Sequence, residues 1–410
     1  MPADGSLPER ARETVPDTAL GLYVHVPFCA SRCGYCDFNT YTLAELSAGE
    51  APGGLPDAGH APFSSGAAPE TYVEAAIAEL GLAHAAVGPP GRALSSVYFG
   101  GGTPTLLPAG DLARLLTKAR DLFGLVPDAE VTTEANPESV DERSLTALRD
   151  AGFTRLSLGM QSVRPHVLSV LDRRHQPSSV GRAVRSARAA GYDNISLDLI
   201  YGTPGESAAD WQASLDAALA LGPEHISAYA LVVEPGTALA RRVTHAEVAA
   251  PDDDDLADKY LQADATLEAA GLRWYEVSNW GRPCRHNLGY WRGANWWGIG
   301  PGAHSHVGGV RWWNVKHPAA YARTLAQGRS PGKAREVLDP QTRRVERVLL
   351  ETRLARGLPL DVLPVPWRSA AAAAVTDALA DPAAFADGRL VLTREGRLLA
   401  DAVVRRVIGD

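Results

Sequence analysis

Six strand-like runs, each followed by a helical pattern, predict an α/β fold with a parallel sheet and helical crossovers, either open or curved into a barrel. Three observations carry this expectation. Apolar runs bounded by turn residues occur at LYVHVPF (22–28), SSVYF (95–99), EVTTEA (130–135), RLSLGM (155–160), NISLDLI (194–200) and HISAYALVV (225–233). Helical stripes separate them: Val73, Ala76, Ile77 and Leu80; then Leu112, Leu115, Leu116 and Ala119; then Val180, Ala183, Val184 and Ala187. Finally, Gly152 and Gly191 each close a helical run just before a strand, where the left-handed conformation open to glycine ends a helix.

The 410 residues are 45% hydrophobic, enough to bury a large core in two or three domains. Residues 1–18 mix Pro, Glu, Arg and Asp without apolar periodicity and read as a mobile tail. The strand–helix alternation occupies 19–240, interrupted at 45–69 by a Gly-, Pro- and Ala-rich stretch that suits a surface insertion. From 241 to 334 the alternation fails, and seven of the nine tryptophans lie between Trp274 and Trp313, which marks an aromatic-rich α+β extension. The segment 335–410 offers a helix around Val345, Val348 and Leu349 and an Ala-rich helix at 369–380. A strand, a turn at Glu395 and Gly396, and a last helix follow, which together predict a small winged-helix module. The run Asp252 to Asp255 precedes a helical pattern and is expected to complement a helix amino terminus rather than bind metal.

A formal charge of −8 argues against nucleic acid as partner, so the winged-helix module is expected to dock a protein or serve structure. The amino terminus lacks the apolar core of a secretion signal, and no apolar run reaches the ~18 residues of a membrane span, which points to the cytoplasm.

Cys29, Cys33 and Cys36 form Cys-x3-Cys-x2-Cys directly after the first strand, on the side of the sheet where barrel proteins place their chemistry. Three thiolates on one loop can each take one iron of a four-iron, four-sulfur cubane and leave the fourth iron open. The alternative is a zinc site completed by His25 or Cys284. Further along, Gly100, Gly101 and Gly102 precede Thr103 at the end of the second strand, where backbone without side chains can approach a ligand. Glu134, Gln161 and Asp198 sit where later strands run out; each either faces the same ligand or caps the helix after it.

The segment YVHVPFCASRCGYCDFNTY resembles the cluster loop of radical S-adenosylmethionine (SAM) enzymes of the oxygen-independent coproporphyrinogen oxidase type and their relatives. The resemblance implies a partial (β/α)6 TIM-like barrel holding a [4Fe–4S] cluster through the three cysteines. Bound SAM would chelate the open iron, and an electron from the cluster would yield a 5′-deoxyadenosyl radical. It also implies that Tyr23 and Tyr35 flank the cofactor, that Gly101, Gly102, Thr103 and Glu134 contact it, and that Gln161, Arg173 and Asp198 line a second ligand region.

Two departures separate the chain from the oxidases: Phe38 stands where they carry a fourth cysteine, and only 28 residues precede Cys29. One addition points elsewhere, because CRHNLGYW (284–291) resembles the His-Asn-x-x-Tyr-Trp motif of HemW-type heme chaperones. That resemblance implies heme binding through His286, Asn287, Tyr290 and Trp291, and delivery to an acceptor protein. An electron donor is implied if the cluster is reduced, and membrane contact only through an acceptor. Imidazole is a common heme ligand, and the aromatic rings offer flat apolar faces. The other reading of His286 is a hydrogen-bonded packing residue. His304 and His306 in the glycine-rich GIGPGAHSH are reserve ligands. The alternative function is an oxygen-independent coproporphyrinogen III oxidase.

Overall fold

The computed structural model describes residues 1–13, 15, 19–48, 67–88, 93–173 and 176–409. All six expected strands form: β1 Leu20–Val26, β2 Leu94–Gly101, β3 Leu125–Ala135, β4 Arg155–Gln161, β5 Ile195–Tyr201 and β6 His225–Ala230. Each pairs in parallel with the next, so sequence order is spatial order. Helices cover the outside, among them α1 Pro69–Val87, α2 Ala109–Phe123, α3 Glu142–Ala151, α4 Pro177–Ala189 and α5 Ala208–Ala220. Burial on both faces explains why these strands read as nearly continuous apolar runs. The stripe Leu112, Leu115, Leu116 and Ala119 is the buried face of α2, and Gly152 (φ 110°) ends α3 as the spacing requires.

Tyr23 on β1, Glu134 on β3, Ser157 on β4 and Ser227 on β6 all line one cavity of about 630 Å³. A flat sheet could not bring these positions together, so the six strands curve around it. The first and sixth strands do not pair with each other, which leaves a partial barrel.

The aromatic-rich segment continues this sheet at both edges. After helix α6 Asp253–Ala269, β7 Trp274–Glu276 and β8 Asn279–Gly281 add antiparallel strands beside β6. On the opposite edge β9 Asn295–Ile299 pairs in parallel with β1, followed by antiparallel β10 His304–Val307, β11 Val310–Asn314 and β12 Gly332–Val337. The chain must therefore cross the open side of the barrel between β8 and β9. Helix α7 Arg285–Trp291, the HNLGYW segment, makes that crossing, against the strand-start end of β2 and β3. Asp252 caps α6 by accepting from the Asp255 amide, as the acidic run led one to expect.

The amino terminus differs from the expected mobile tail. Glu9–Glu13 is helical, and Leu7, Ala11 and Val15 are buried in the main core. Their four-residue spacing is a short helical stripe, which the polar composition around them masks. The Ala3 carbonyl also accepts from the Ser330 amide at 2.6 Å, tying this segment beside β12. Of the 45–69 stretch, 49–66 lie outside the described residues, and its first residues belong to a helix, Leu43–Ala48.

The carboxyl-terminal residues enclose a second core that includes Val348, Leu358, Ala371, Leu390 and Val403. It is built from helices Pro340–Glu351, Val365–Thr376 and Ala400–Ile408 and a two-stranded antiparallel pair, Leu358–Pro359 with Arg389–Leu390. Glu395 and Gly396 are not a turn but part of helix Arg394–Leu398, which Thr393 caps. Glycine is needed at 396 because a Cβ there would lie 1.9 Å from the Leu379 carbonyl oxygen.

Candidate functional site

The cysteine loop leaves β1 and is closed by a short parallel bridge between Phe28–Cys29 and Tyr41–Thr42. Backbone bonds fasten it to the barrel rim: the Gly102 amide donates to the Val26 carbonyl at 2.8 Å, and the Thr103 amide to the Phe28 carbonyl at 2.7 Å. Cys29, Cys33 and Cys36 are all free, half-buried thiols lining the cavity. The Arg173 guanidinium reaches Cys33 Sγ at 3.4 Å and Asn136 Oδ1 at 2.8 Å. Burial, with the neighbouring Cys36 and Cys33, pushes the Cys29 thiol up to about 11. Burial raises Cys36 as well, and an iron–sulfur cluster supplies the cationic centre that favours thiolates on such a loop.

Neither expected fourth ligand of a zinc site is available. His25 Nδ1 meets the Tyr23 hydroxyl and its Nε2 meets the Asn39 carbonyl, both at 3.0 Å. Cys284 is buried at the strand-start end of the cavity, with its Sγ 3.3 Å from Glu130 Oε1.

Glu134 anchors the wall beside the loop. Its Oε1 accepts from the Tyr98 hydroxyl at 2.7 Å and its Oε2 from the Gly101 amide at 3.2 Å. Burial, with Asp198 adding and Arg155 opposing, pushes its carboxyl up to about 7. Gly102 has a different reason to be glycine than the expected approach to a ligand. A Cβ there would lie 2.4 Å from the Phe28 carbonyl oxygen and 3.0 Å from Cys29 Sγ, so the residue lets the cysteine loop itself pack down.

On the far wall, Gln161 adopts φ 53° at the end of β4, an uncommon conformation for a residue with a Cβ, next to a register shift between Gly159 and Gln161. Among the described residues its Oε1 is buried without a hydrogen-bond partner, as is Nε of Arg173. Both residues line the cavity. Thr40 Oγ1 and Arg155 Nε, of residues lining the same cavity, are likewise without a partner among the described residues, and buried polar atoms left unpaired around one cavity are what a polar ligand would satisfy. Asp198 accepts from Ser157 Oγ at 2.9 Å and Ser196 Oγ at 3.2 Å. Tyr23, Tyr35 and Thr103 complete the expected set around the same cavity.

The HNLGYW helix enters from below. His286 is buried and stacked on Tyr98, ring centroids 5.4 Å apart. Its Nδ1 meets Ser96 Oγ at 2.9 Å and its Nε2 meets the Tyr290 hydroxyl at 2.8 Å. Burial pushes it down to about 3, so the ring is neutral with both nitrogens engaged. In this structure the imidazole packs the barrel floor with both ring nitrogens hydrogen-bonded, as in the packing reading of His286. Asn287 donates to Glu276 Oε1 at 3.0 Å, and both it and Tyr290 line the cavity, whereas Trp291 does not. Tyr98, Arg155, Ser157 and His225, missed in the sequence, also face this space. A polar residue inside an apolar strand was the signal available for each.

Residues 23–218 match the Radical SAM superfamily. A Mycobacterium tuberculosis protein named heme chaperone HemW is 52% identical over 398 residues, covering 96% of each chain. The chain belongs to the HemW family of radical SAM proteins. A second HemW relative, from Escherichia coli K12, is 36% identical over 328 residues, 78% of each chain. The fold is also that of the coproporphyrinogen III oxidase HemN from Escherichia coli, with a TM-score of 0.79 over 99% of this chain and 94% of the other. At 22% identity that likeness concerns fold alone.

Proposed function

We propose that this HemW family member is a heme chaperone, which binds heme and passes it to an acceptor protein while carrying a [4Fe–4S] cluster on Cys29, Cys33 and Cys36. The observation that carries this reading is identity of 52% along 96% of a chain named heme chaperone. Glu134 and the Gly101–Thr103 segment would hold SAM, whose reductive cleavage at such a cluster supplies radical chemistry. Gln161, Arg173 and Asp198 would bind polar groups across the cavity. Phe38, at the place of the oxidases' fourth cysteine, is 62% exposed and lines the cavity mouth. An electron donor would serve the cluster when it is reduced. Among the described residues no helix is long and apolar enough to cross a membrane.

Ionisation of Glu134 gives this reading a pH signature. A carboxyl near 7 is largely protonated at pH 6, and the SAM amino group, neutral once its nitrogen lone pair is on the iron, donates more strongly to the carboxylate than to the acid. Affinity for SAM should therefore rise between about pH 6 and 8, and below pH 7 uptake should release the carboxyl's proton in addition to the one the amine gives up on binding. The neighbouring charged or titratable groups are Tyr98, Asp198 and Arg155, and Glu134→Gln should flatten the profile. Calorimetric titration in buffers of different ionisation heat reads the proton directly; a flat profile in the unaltered protein would remove Glu134 from the SAM site.

The function itself is tested by offering coproporphyrinogen, SAM and a reductant to the reconstituted protein under anaerobic conditions. No protoporphyrinogen should accumulate. Sustained turnover would return the chain to the oxidase alternative.

A further inference from the structure

A second cleft, of about 490 Å³, opens beyond the end of α7. Its walls come from the residues just after that helix, from β10, from helix Pro340–Glu351 and from the segment at Asp361 and Val362. The volume falls within the range of cofactor-sized pockets.

We infer that this cleft seats the heme, with His306 as the iron ligand and Arg292, Arg343 and Arg344 pairing with the propionates. The inference rests on the heme-chaperone reading and assigns its cargo a site apart from the cluster cavity. Three independent features meet there.

The first is a histidine prepared as a ligand. His306 is only 8% exposed, and its Nδ1 lies 3.1 Å from the Ala294 carbonyl oxygen. A carbonyl can only accept, so Nδ1 carries the proton and Nε2 holds the free lone pair. No partner for Nε2 occurs among the described residues, and the ring lines the cleft. Metal-binding imidazoles commonly have this arrangement, a backbone acceptor fixing the tautomer that leaves the other nitrogen free. Burial, with Arg343 and Arg311 nearby, lowers the imidazole's affinity for a proton, which keeps the ligand form. His286 lacks the free nitrogen.

The second is an excess of positive charge, four arginines against Glu346 and Asp361. The acidic groups in the cleft are Glu346 and Asp361, and Glu346 is already taken by Arg311 at 2.5 Å. Arg347 pairs with Glu351 at 2.5 Å. Arg343 and Arg344 have no side-chain hydrogen bond or ion pair among the described residues, and Arg292 feels only Glu351, which Arg347 already pairs, and the like charge of Arg356. Planar guanidinium groups bind carboxylates in bidentate fashion, and heme carries two carboxylates on one edge.

The third is an apolar and aromatic backing. Leu350, Val362 and Pro340 line the cleft, and Trp296 packs behind His306 with ring centroids 5.1 Å apart. Trp296 in turn meets Tyr290 at 4.7 Å. The HNLGYW helix thus connects the two spaces: His286 and Tyr290 face the barrel floor, while Arg292 and Gly293 beyond its end form the cleft wall.

The test is a heme titration of the full-length, cluster-reconstituted protein, followed by Soret absorbance and by the magnetic resonance signature of the axial ligand. His306→Ala should remove the imidazole signature and weaken binding on the order of tenfold or more, and added imidazole should restore the ligation. The pair Arg343→Glu with Arg344→Glu should weaken binding by a similar order without changing the ligand type. Should His306→Ala fail to take up its cluster, the arginine pair decides the matter by itself. The inference is overturned if a correctly folded His306→Ala protein binds heme with unaltered affinity and spectrum. It is also overturned if the imidazole signature disappears in His286→Ala and persists in His306→Ala. An unaltered protein that takes up no heme at all would instead contradict the chaperone reading on which the inference rests.

Discussion

Cys33→Ala is expected to take the reconstituted protein from about four irons per chain to essentially none, with the same outcome at Cys29 and Cys36. Each thiolate holds one iron of the cubane, so two remaining ligands would leave two irons without protein support. Among the described residues, the other two candidate ligands are engaged elsewhere: His25 has both nitrogens hydrogen-bonded, and Cys284 is committed to Glu130 at the opposite end of the cavity. The loop lies at the rim, outside the barrel core, and its backbone bonds to Gly102 and Thr103 do not involve the thiols. Secondary structure should therefore survive while iron, sulfide and the visible absorption are lost together. Full iron retention in any one of the three variants would place the cluster elsewhere.

Asp264→Ala should destabilise the protein by roughly 3 kcal/mol, through loss of the joint between the barrel and the carboxyl-terminal module. The carboxylate is buried on α6, where it accepts from Trp280 Nε1 at 2.9 Å, from both terminal nitrogens of Arg397 at 2.9 Å and from Arg394 Nε at 2.6 Å. Arg397 also lies over the Trp274 ring, 4.3 Å from its centroid. Removing the acid leaves a largely buried guanidinium and an indole N–H without their acceptor. Arg394 is 40% exposed and contributes little, which is why the effect is set at the low end for broken buried pairs. Denaturant midpoints give the loss, and protease sensitivity around residue 335 reports whether the module has come away. An unchanged midpoint would mean that the module is held by its apolar contacts alone.

Local pattern carried much of the fold and part of the site. β1 to β6 were legible because parallel strands covered on both faces are short apolar runs, and the buried stripe of α2 was legible because its period is helical. The cysteine loop could be read because its ligands are contiguous in sequence. Long-range pairing could not. Nothing in NWWGI announces that Asn295–Ile299 pairs with β1, some 275 residues earlier in the chain. The two partners of His286 show the same limit. Tyr290 is one helical turn away and could be guessed, but Ser96 is 190 residues distant, and it is the second bond that uses up the ring. Gly102 was read for its freedom near a ligand, whereas its neighbour is the Phe28 carbonyl, a contact set by how the loop folds back.

Transfer of heme to an acceptor separates a chain that carries heme from one that makes its precursor. Reconstituted full-length protein is loaded with one equivalent of heme, separated from excess, and mixed with a heme-free apoprotein of a heme enzyme, while the Soret spectra of donor and acceptor are followed. The donor spectrum should decay as the acceptor gains its own spectrum and its activity, faster than heme passes from a non-specific carrier such as albumin. Failure to take up heme, together with conversion of coproporphyrinogen by the same preparation, would contradict the chaperone reading.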